Sequence, residues 1–223
     1  QTNGSCAAHE YEIERLWTFA DDCGNTRVVR QKITIVDNSA PLFSAPSNTT
    51  VSCASDWQNP DVTGRPVNII DCDPDVNITF TDIIEPGSCS GNFRVRRIWT
   101  LSDICGNLSS ANQIITVVDN EEPTFVAPSD VTLNCGDNDT PDSTGRPEQL
   151  LDNCTPSEDL EAVVSSEVVI AGSCSNNYTI QRTWQVVDQC GNTASHVQLI
   201  TVVDESTPMI TLPATDLVLD CVE

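Results

Sequence analysis

An eleven-residue motif occurs three times in this chain and decides its fold. It reads RLWTFADDCGN at 15–25, RIWTLSDICGN at 97–107 and RTWQVVDQCGN at 182–192. A matching segment follows each copy: QKITIVD at 31–37, QIITVVD at 113–119 and QLITVVD at 198–204. A third motif, NPDVTGRP at 59–66, returns as TPDSTGRP at 140–147. Motifs that recur in one order every 81 to 85 residues predict tandem copies of one small domain.

Side chains alternate in character along the first motif. In its second copy one face carries Phe93, Val95, Arg97, Trp99, Leu101 and Asp103, and the other carries Arg94, Arg96, Thr100 and Ser102. A period of two indicates a β-strand with one buried face, and the Gly-Asn turn that follows predicts a β-hairpin. No segment shows a helical period with caps, and each repeat has room for roughly seven strands. The pattern predicts an all-β chain of tandem antiparallel β-sandwiches.

One tryptophan per repeat, with an arginine two residues before it on the same face, is the expected core of each sandwich. The three pairs are Arg15 and Trp17, Arg97 and Trp99, and Arg182 and Trp184. We expect each tryptophan to pack in the core, and each arginine to pair with a carboxylate or stack on the indole ring.

Cysteines follow the same period. The aligned sets are Cys6, Cys89 and Cys174; Cys23, Cys105 and Cys190; Cys53, Cys135 and Cys221; and Cys72 and Cys154. Zinc sites place cysteines in close pairs, whereas here no two lie closer than 16 residues, and the only histidines are His9 and His196. The pattern predicts disulfides and therefore an oxidising compartment.

The connectivity follows from the first copy, where only Cys6 and Cys23 precede the next repeat and are expected to pair. Repeat symmetry extends this local pairing to Cys53–Cys72, Cys89–Cys105, Cys135–Cys154 and Cys174–Cys190. Cys221 is expected to pair beyond residue 223. Loops of this size predict about 3 kcal/mol of stabilisation for each bridge.

Proline-containing segments separate the copies and set the expected domain boundaries. Residues 1–38 are predicted to be the C-terminal part of one repeat, and 206–223 the first strand of another. Complete repeats are predicted at 39–120 and 121–205, arranged end to end as a semi-rigid segment of a longer object, because no Gly/Ser-rich linker separates them.

The signature R-x-W-x-x-x-D-x-C-G-N, followed by Q-x-I-x-V-x-D and a proline, resembles the hyalin repeat (HYR) and HYR-like domains. These are immunoglobulin-like modules of animal extracellular proteins and of long surface adhesins of gliding and marine bacteria. The resemblance covers the whole chain and implies an immunoglobulin-like sandwich in an adhesin or surface filament.

Charge excludes several classes of partner. The net charge of −23 disfavours nucleic acid and anionic membrane surfaces, because both are bound through Lys and Arg. The sequence contains no run of about 20 apolar residues, the length that a membrane-spanning helix needs. Neither His9 nor His196 recurs in the other repeats, so no catalytic constellation is predicted and the chain is expected to be non-enzymatic.

Acidity makes calcium a candidate cofactor. Carboxylates at the repeat junctions are the candidate ligands: Asp37, Asp119, Asp204, Glu121, Glu122 and Glu205. Calcium takes six to eight oxygen ligands of this kind. The alternative is that the Asp residues cap turns, as Asp21, Asp103 and Asp188 would beside the hairpin turn.

Sequons for N-glycosylation occur at Asn3, Asn48, Asn77, Asn107, Asn138 and Asn177, with a seventh at Asn153. The favoured function is a structural or adhesive segment of a secreted or cell-surface protein, with neighbouring repeats of the same long chain or filament as partners. The alternatives are a calcium-dependent module that binds a glycan or surface ligand, and an accessory region of a secreted enzyme.

Overall fold

The computed structural model describes residues 2–3 and 11–211. The chain divides into two compact units. The first comprises the chain up to residue 122 together with segments 152–159 and 188–192, and the second comprises 123–151, 160–187 and the chain from 193 onward.

Nine strands, one helical turn and one 3₁₀ turn make up the described part of the first unit. The strands are β1 (Thr2–Asn3), β2 (Tyr11–Ala20), β3 (Thr26–Ile35), β4 (Leu42–Ser44), β5 (Thr49–Ser52), β6 (Val67–Ile70), β7 (Asn77–Cys89), β8 (Asn92–Ser102) and β9 (Leu108–Val118). The helical turn α1 is Pro60–Thr63, and the 3₁₀ turn is Ser157–Asp159.

The second unit repeats the order of elements from β4 to β9. Its elements are β10 (Thr124–Val126), β11 (Val131–Asn134), α2 (Pro141–Thr144), β12 (Glu148–Leu151), β13 (Glu161–Ala171), β14 (Tyr178–Val187) and β15 (Thr193–Val203).

Each unit contains a four-stranded sheet and a two-stranded sheet, which confirms the all-β sandwich prediction. The sheets are β5-β9-β8-β7 with β4-β6, and β11-β15-β14-β13 with β10-β12; β1-β2-β3 forms a sheet of its own. Pairing is antiparallel except at one edge, where β5 runs parallel to β9 and β11 runs parallel to β15. In each case a four-residue strand near the start of the repeat lies beside the last strand of that repeat.

The predicted buried face is confirmed along β8 and β14. Val95, Trp99 and Leu101 are at most 1% exposed, and Trp184 and Val186 are fully buried. Ile115 and Val117 of β9 complete the core of the first unit.

The expected count of roughly seven strands is one too high, since residues 39–120 and residues 121–205 each contain six strands. The TGRP-containing motif contributes the single helical turns α1 and α2, although no helical segment was predicted. Asn59 caps α1 by accepting a hydrogen bond from Asp61 N across 2.9 Å, and Pro60 starts it. Gly64 ends it at φ 102°, a conformation that favours glycine. One turn is too short for any helical periodicity.

The helical turn closes a buried network around each core tryptophan. Arg97 forms a bidentate pair with Asp82 at 2.8 and 2.9 Å and donates to Thr63 Oγ1 at 2.7 Å. It also stacks on aromatic rings, 4.3 Å from the Phe80 centroid and 5.7 Å from Trp99. Both predicted roles of this arginine are therefore confirmed, and they are structural.

The second unit builds the same network from equivalent residues. Arg182 pairs with Glu167 and donates to Thr144 Oγ1 at 2.6 Å. Trp184 Nε1 donates to Gln198 at 3.2 Å, as Trp99 does to Gln113.

The hairpin of β2 and β3 carries this core face uncovered. Trp17 is 48% exposed, whereas its equivalents Trp99 and Trp184 are 1% and 0% exposed. Trp17 keeps the recurrent bond to a glutamine, Gln31, at 3.4 Å. The β2–β3 hairpin therefore exposes the face that is buried in the two four-stranded sheets.

Candidate functional site

Two disulfides in the first unit link cysteines of successive sequence repeats. Cys53 pairs with Cys154 and Cys89 pairs with Cys190, with Cα–Cα distances of 5.9 and 5.2 Å. Each bridge has a sequence separation of 101 residues, which exceeds the repeat length.

The predicted local pairing is therefore wrong. The pairs that the structure excludes are Cys6–Cys23, Cys53–Cys72, Cys89–Cys105, Cys135–Cys154 and Cys174–Cys190. For Cys89–Cys105 the reason is strand length: the two cysteines flank the eleven residues of β8, which at ~3.3 Å per residue places them roughly 35 Å apart. Disulfides need Cα atoms within about 7 Å. Cys174 and Cys190 flank β14 in the same way.

The remaining cysteines fall into two groups. Cys23, Cys72, Cys135 and Cys174 are free and exposed. Cys105 is disulfide-bonded to a partner beyond the described residues. Cys6 and Cys221 lie outside the described residues.

Aspartates cap the hairpin turns, as the turn-cap alternative predicted. Asp188 Oδ1 accepts from the backbone N of Cys190 and Asn192, both at 2.8 Å, and its Oδ2 accepts from Asn192 Nδ2. Asp21 and Asp103 make the same contacts to Asn25 and Asn107. The asparagine of this turn also donates to the backbone carbonyl of the aspartate that follows the last strand of the preceding repeat: Asn107 to Asp37 O at 3.1 Å, and Asn192 to Asp119 O at 3.4 Å.

Three carboxylates meet in the first unit. Oxygens of Asp119, Asp152 and Asp188 lie within 4.8 Å of one another. Asp119 is 2% exposed, and its Oδ2 receives no hydrogen bond. Asp152 Oδ2 is likewise buried without a donor, although its Oδ1 accepts from the backbone N of Cys154 and Thr155. These two buried carboxylate oxygens therefore have neither a hydrogen-bond donor nor a positive charge to compensate them within the cluster.

Burial raises the pKa of Asp119 above its ordinary value of 3.8, and the nearby Asp152 and Asp188 raise it further. Backbone donation from Glu121 acts in the opposite direction. Carboxylate oxygens are the ligands of hard divalent cations, so the donor set fits calcium. Cys53 and Cys154 lie within the same distance of Asp119, but their sulfurs are bonded to each other and are not available as thiolates.

At the equivalent place one repeat earlier, the cysteine is a protonated thiol and not part of a disulfide. Asp37 lies near Asp71 and Cys72, and the Cys72 thiol donates to Asp37 Oδ2 at 2.8 Å. That hydrogen bond, with partial desolvation of the thiol and the charge of Asp37, raises the pKa of Cys72 to about 11. Asp37 Oδ2 is therefore satisfied by a free thiol where Asp119 Oδ2 faces a disulfide.

Other predicted ligands lie apart from these groups. Glu121, Glu122 and Glu205 are exposed and join none of the carboxylate clusters within the described residues. Asp204 accepts from Asn176 Nδ2 at 2.9 Å, and this hydrogen bond lowers its pKa.

Sequence analysis missed Asp152 and Asp71, which follow β12 and β6. Each follows directly after an aliphatic pair and stands one or two residues before an aligned cysteine, Cys154 in LLDNC and Cys72 in IIDC, and that recurrence was the available signal.

The sequons differ in accessibility. Asn48, Asn77 and Asn138 are exposed. Asn107 uses its amide nitrogen to bond Asp37 O and Asp103 Oδ2. Asn177 is half-buried and accepts from Asp204 N at 2.6 Å. The side chain of Asn3 lies outside the described set.

His196 is exposed on β15, and His9 lies outside the described residues. Between residues 11 and 211, the helical turns are far too short to cross a bilayer.

No protein-family model and no curated protein matches the chain. Among solved structures, Drosophila N-cadherin EC1-4 aligns at 16% identity with a TM-score of 0.35, covering 88% of this chain, which spans 58% of that fragment. Protocadherin gamma C5 EC1-3 aligns at 11% identity with a TM-score of 0.33, covering 88% of this chain and 78% of that one. Human protocadherin-24 EC1-2 aligns at 13% identity with a TM-score of 0.32, covering 77% and 100%. Similarity at this level carries no argument about function, and the resemblance to HYR domains stays a prediction.

Proposed function

We propose that this chain is a structural segment of a secreted or cell-surface repeat protein, the shaft of an adhesin or surface filament. Its repeats are 39–120 and 121–205, with 1–38 belonging to a preceding repeat and 206–223 to a following one. Its partners are neighbouring repeats, and it is not an enzyme. The observation that supports this function is the pair of bridges Cys53–Cys154 and Cys89–Cys190, which connect successive repeats.

Bridges of this kind suit an extracellular load-bearing role. Disulfides persist in oxidising compartments and are rare in the cytosol. A closed loop of about 100 residues is worth about 4.7 kcal/mol in the chain-entropy model, more than the short loops expected from local pairing. Because both bridges connect neighbouring repeats, tension applied along the chain passes through the disulfides. The residues that the disulfides bypass are not stretched and stay folded.

Pulling the chain by its ends tests this role, in a Cys105→Ser background that removes the further disulfide of Cys105. With both bridges intact, extension should be shorter by about 350 Å than after reduction, since each bridge removes 101 residues of ~3.5 Å from the stretched path. A variant with both Cys53→Ser and Cys89→Ser should reach the longer extension without reductant. Either single variant should stay short, because one bridge suffices to shorten the path. An oxidised chain that already extends fully would contradict a load-bearing role.

We assign calcium to the cluster of Asp119, Asp152 and Asp188 as a cofactor of this segment. Two orphaned buried oxygens, on Asp119 and Asp152, support the assignment. A bound divalent cation would neutralise the cluster and tie the Asp188 turn to the end of β9, where Asp119 lies. The ion stabilises structure in this role and takes no part in a reaction.

A further inference from the structure

We propose that Cys23, Cys72, Cys135 and Cys174 are attachment points that form disulfides with cysteines of flanking repeats of the same four-cysteine pattern. The observed bridges define a rule. The first cysteine of a repeat, Cys53, pairs with the second of the next, Cys154. The third, Cys89, pairs with the fourth of the next, Cys190.

The rule separates bonded from free cysteines without further assumption. It gives Cys105, the fourth of its repeat, a partner inside this chain, Cys6, and Cys105 is disulfide-bonded. It gives the remaining four described cysteines no partner inside the chain, and all four are free and exposed. Local pairing would have left none of these four unpaired.

Local geometry at Cys135 and Cys174 repeats that of the bonded positions. Cys135 N donates to Val203 O at 2.8 Å, as Cys53 N donates to Val118 O at 2.9 Å. Cys174 lies in the β13–β14 turn, and Cys89 is the last residue of β7, beside the β7–β8 turn.

The neighbouring backbone matches as well. Asp204 N donates to Asn177 Oδ1 at 2.6 Å, and Asp119 N donates to Asn92 Oδ1 at 2.7 Å. The second unit therefore presents two free thiols in the setting that binds Cys154 and Cys190 in the first.

Bridge formation needs an oxidant, which is a small-molecule disulfide such as oxidised glutathione or the disulfide of a thiol oxidoreductase. A thiolate of the chain attacks a sulfur of that disulfide and releases one thiolate. The cysteine of the neighbouring repeat then attacks the mixed disulfide and releases the second. Two protons and two electrons leave the cysteine pair, and the oxidant becomes two thiols.

An extended chain tests the proposal. Residues 1–204 are followed by residues 120–223, so that one complete repeat with four additional cysteines follows the second unit. After refolding in a glutathione redox buffer, peptide mapping without reductant should find Cys135 joined to the copy of Cys154 and Cys174 joined to the copy of Cys190. The number of alkylatable thiols should equal that of the parent chain.

Two comparisons sharpen the result. Changing Cys154→Ser in the appended copy alone should return Cys135 to the alkylated fraction and leave the Cys174 bridge intact. Cys135 and Cys174 that stay alkylatable in the extended chain, or that form intermolecular dimers by mass, would overturn the proposal. The Cys53–Cys154 and Cys89–Cys190 peptides in the same digest report separately on the proposed function.

Discussion

The Cys72 thiol donates a hydrogen bond to Asp37 Oδ2 across 2.8 Å. One repeat later the equivalent cysteine, Cys154, is oxidised, and Asp119 Oδ2 has no donor. Forming the bridge therefore removes a proton donor from beside a buried carboxylate. Oxidation at this position and cation binding at the neighbouring aspartate are expected to favour each other.

Asp37 should slow the alkylation of Cys72. Because the pKa of Cys72 rises from 9.0 to about 11, the thiolate fraction of Cys72 near pH 8 falls roughly 100-fold. In the Asp37→Asn variant, iodoacetamide should label Cys72 many times faster, as measured by peptide mass spectrometry over time. Asp204→Asn, at the equivalent strand end, is the control and should leave the Cys72 rate unchanged. Equal rates in wild type and Asp37→Asn would show that the thiol–carboxylate bond does not form in solution.

Calcium should stabilise the first unit through Asp119 and Asp152. At a calcium concentration 100-fold above Kd the gain is about 2.7 kcal/mol, which corresponds to a rise in Tm of about 5 to 10 °C. Asp152→Asn should abolish the rise, and Glu122→Gln should keep it. Calorimetry with and without chelator gives the comparison. A rise that survives in Asp152→Asn would place the ion elsewhere.

Without calcium, stability should depend on pH through Asp119. Its pKa in the folded protein is raised above the usual 3.8, so its contribution is favourable below that value and is lost as pH rises through the folded pKa. Asp119→Asn should therefore be more stable than wild type at pH 7 in chelator, and this advantage should shrink as pH falls toward 4. Urea unfolding at several pH values measures the difference. An advantage that grows on acidification would reverse the assigned sign.

Arg97 should be among the most sensitive positions of the first unit. Replacing it with alanine leaves Asp82 without its charge partner and Thr63 without a donor, which should cost about 3 to 5 kcal/mol. Arg94→Ala, on the exposed face of the same strand, is the matched control and should change stability little. Denaturant unfolding with intact disulfides measures both. Similar losses for the two variants would mean that the buried network contributes little.

Sequence predicted what is local and periodic. The alternation around Trp99 determined the strand, its buried face and the hairpin, since each depends on neighbours within a few residues. The pairing of Cys53 could not be obtained in this way, because it depends on which end of the sandwich each cysteine occupies. The partner of Asp119 in the carboxylate cluster, Asp152, was missed for the same reason. The strand length of β8 was the clue that excluded Cys89–Cys105.

A disulfide map of the oxidised chain tests the central claim most directly. Digestion at low pH, where thiol exchange is slow, followed by mass spectrometry without reductant, identifies each linked pair of peptides. We expect peptides that join Cys53 to Cys154 and Cys89 to Cys190, with Cys72 and Cys174 recovered as alkylated thiols. Recovery of Cys53 joined to Cys72, or of Cys89 joined to Cys105, would contradict covalent linkage between successive repeats and the shaft that depends on it.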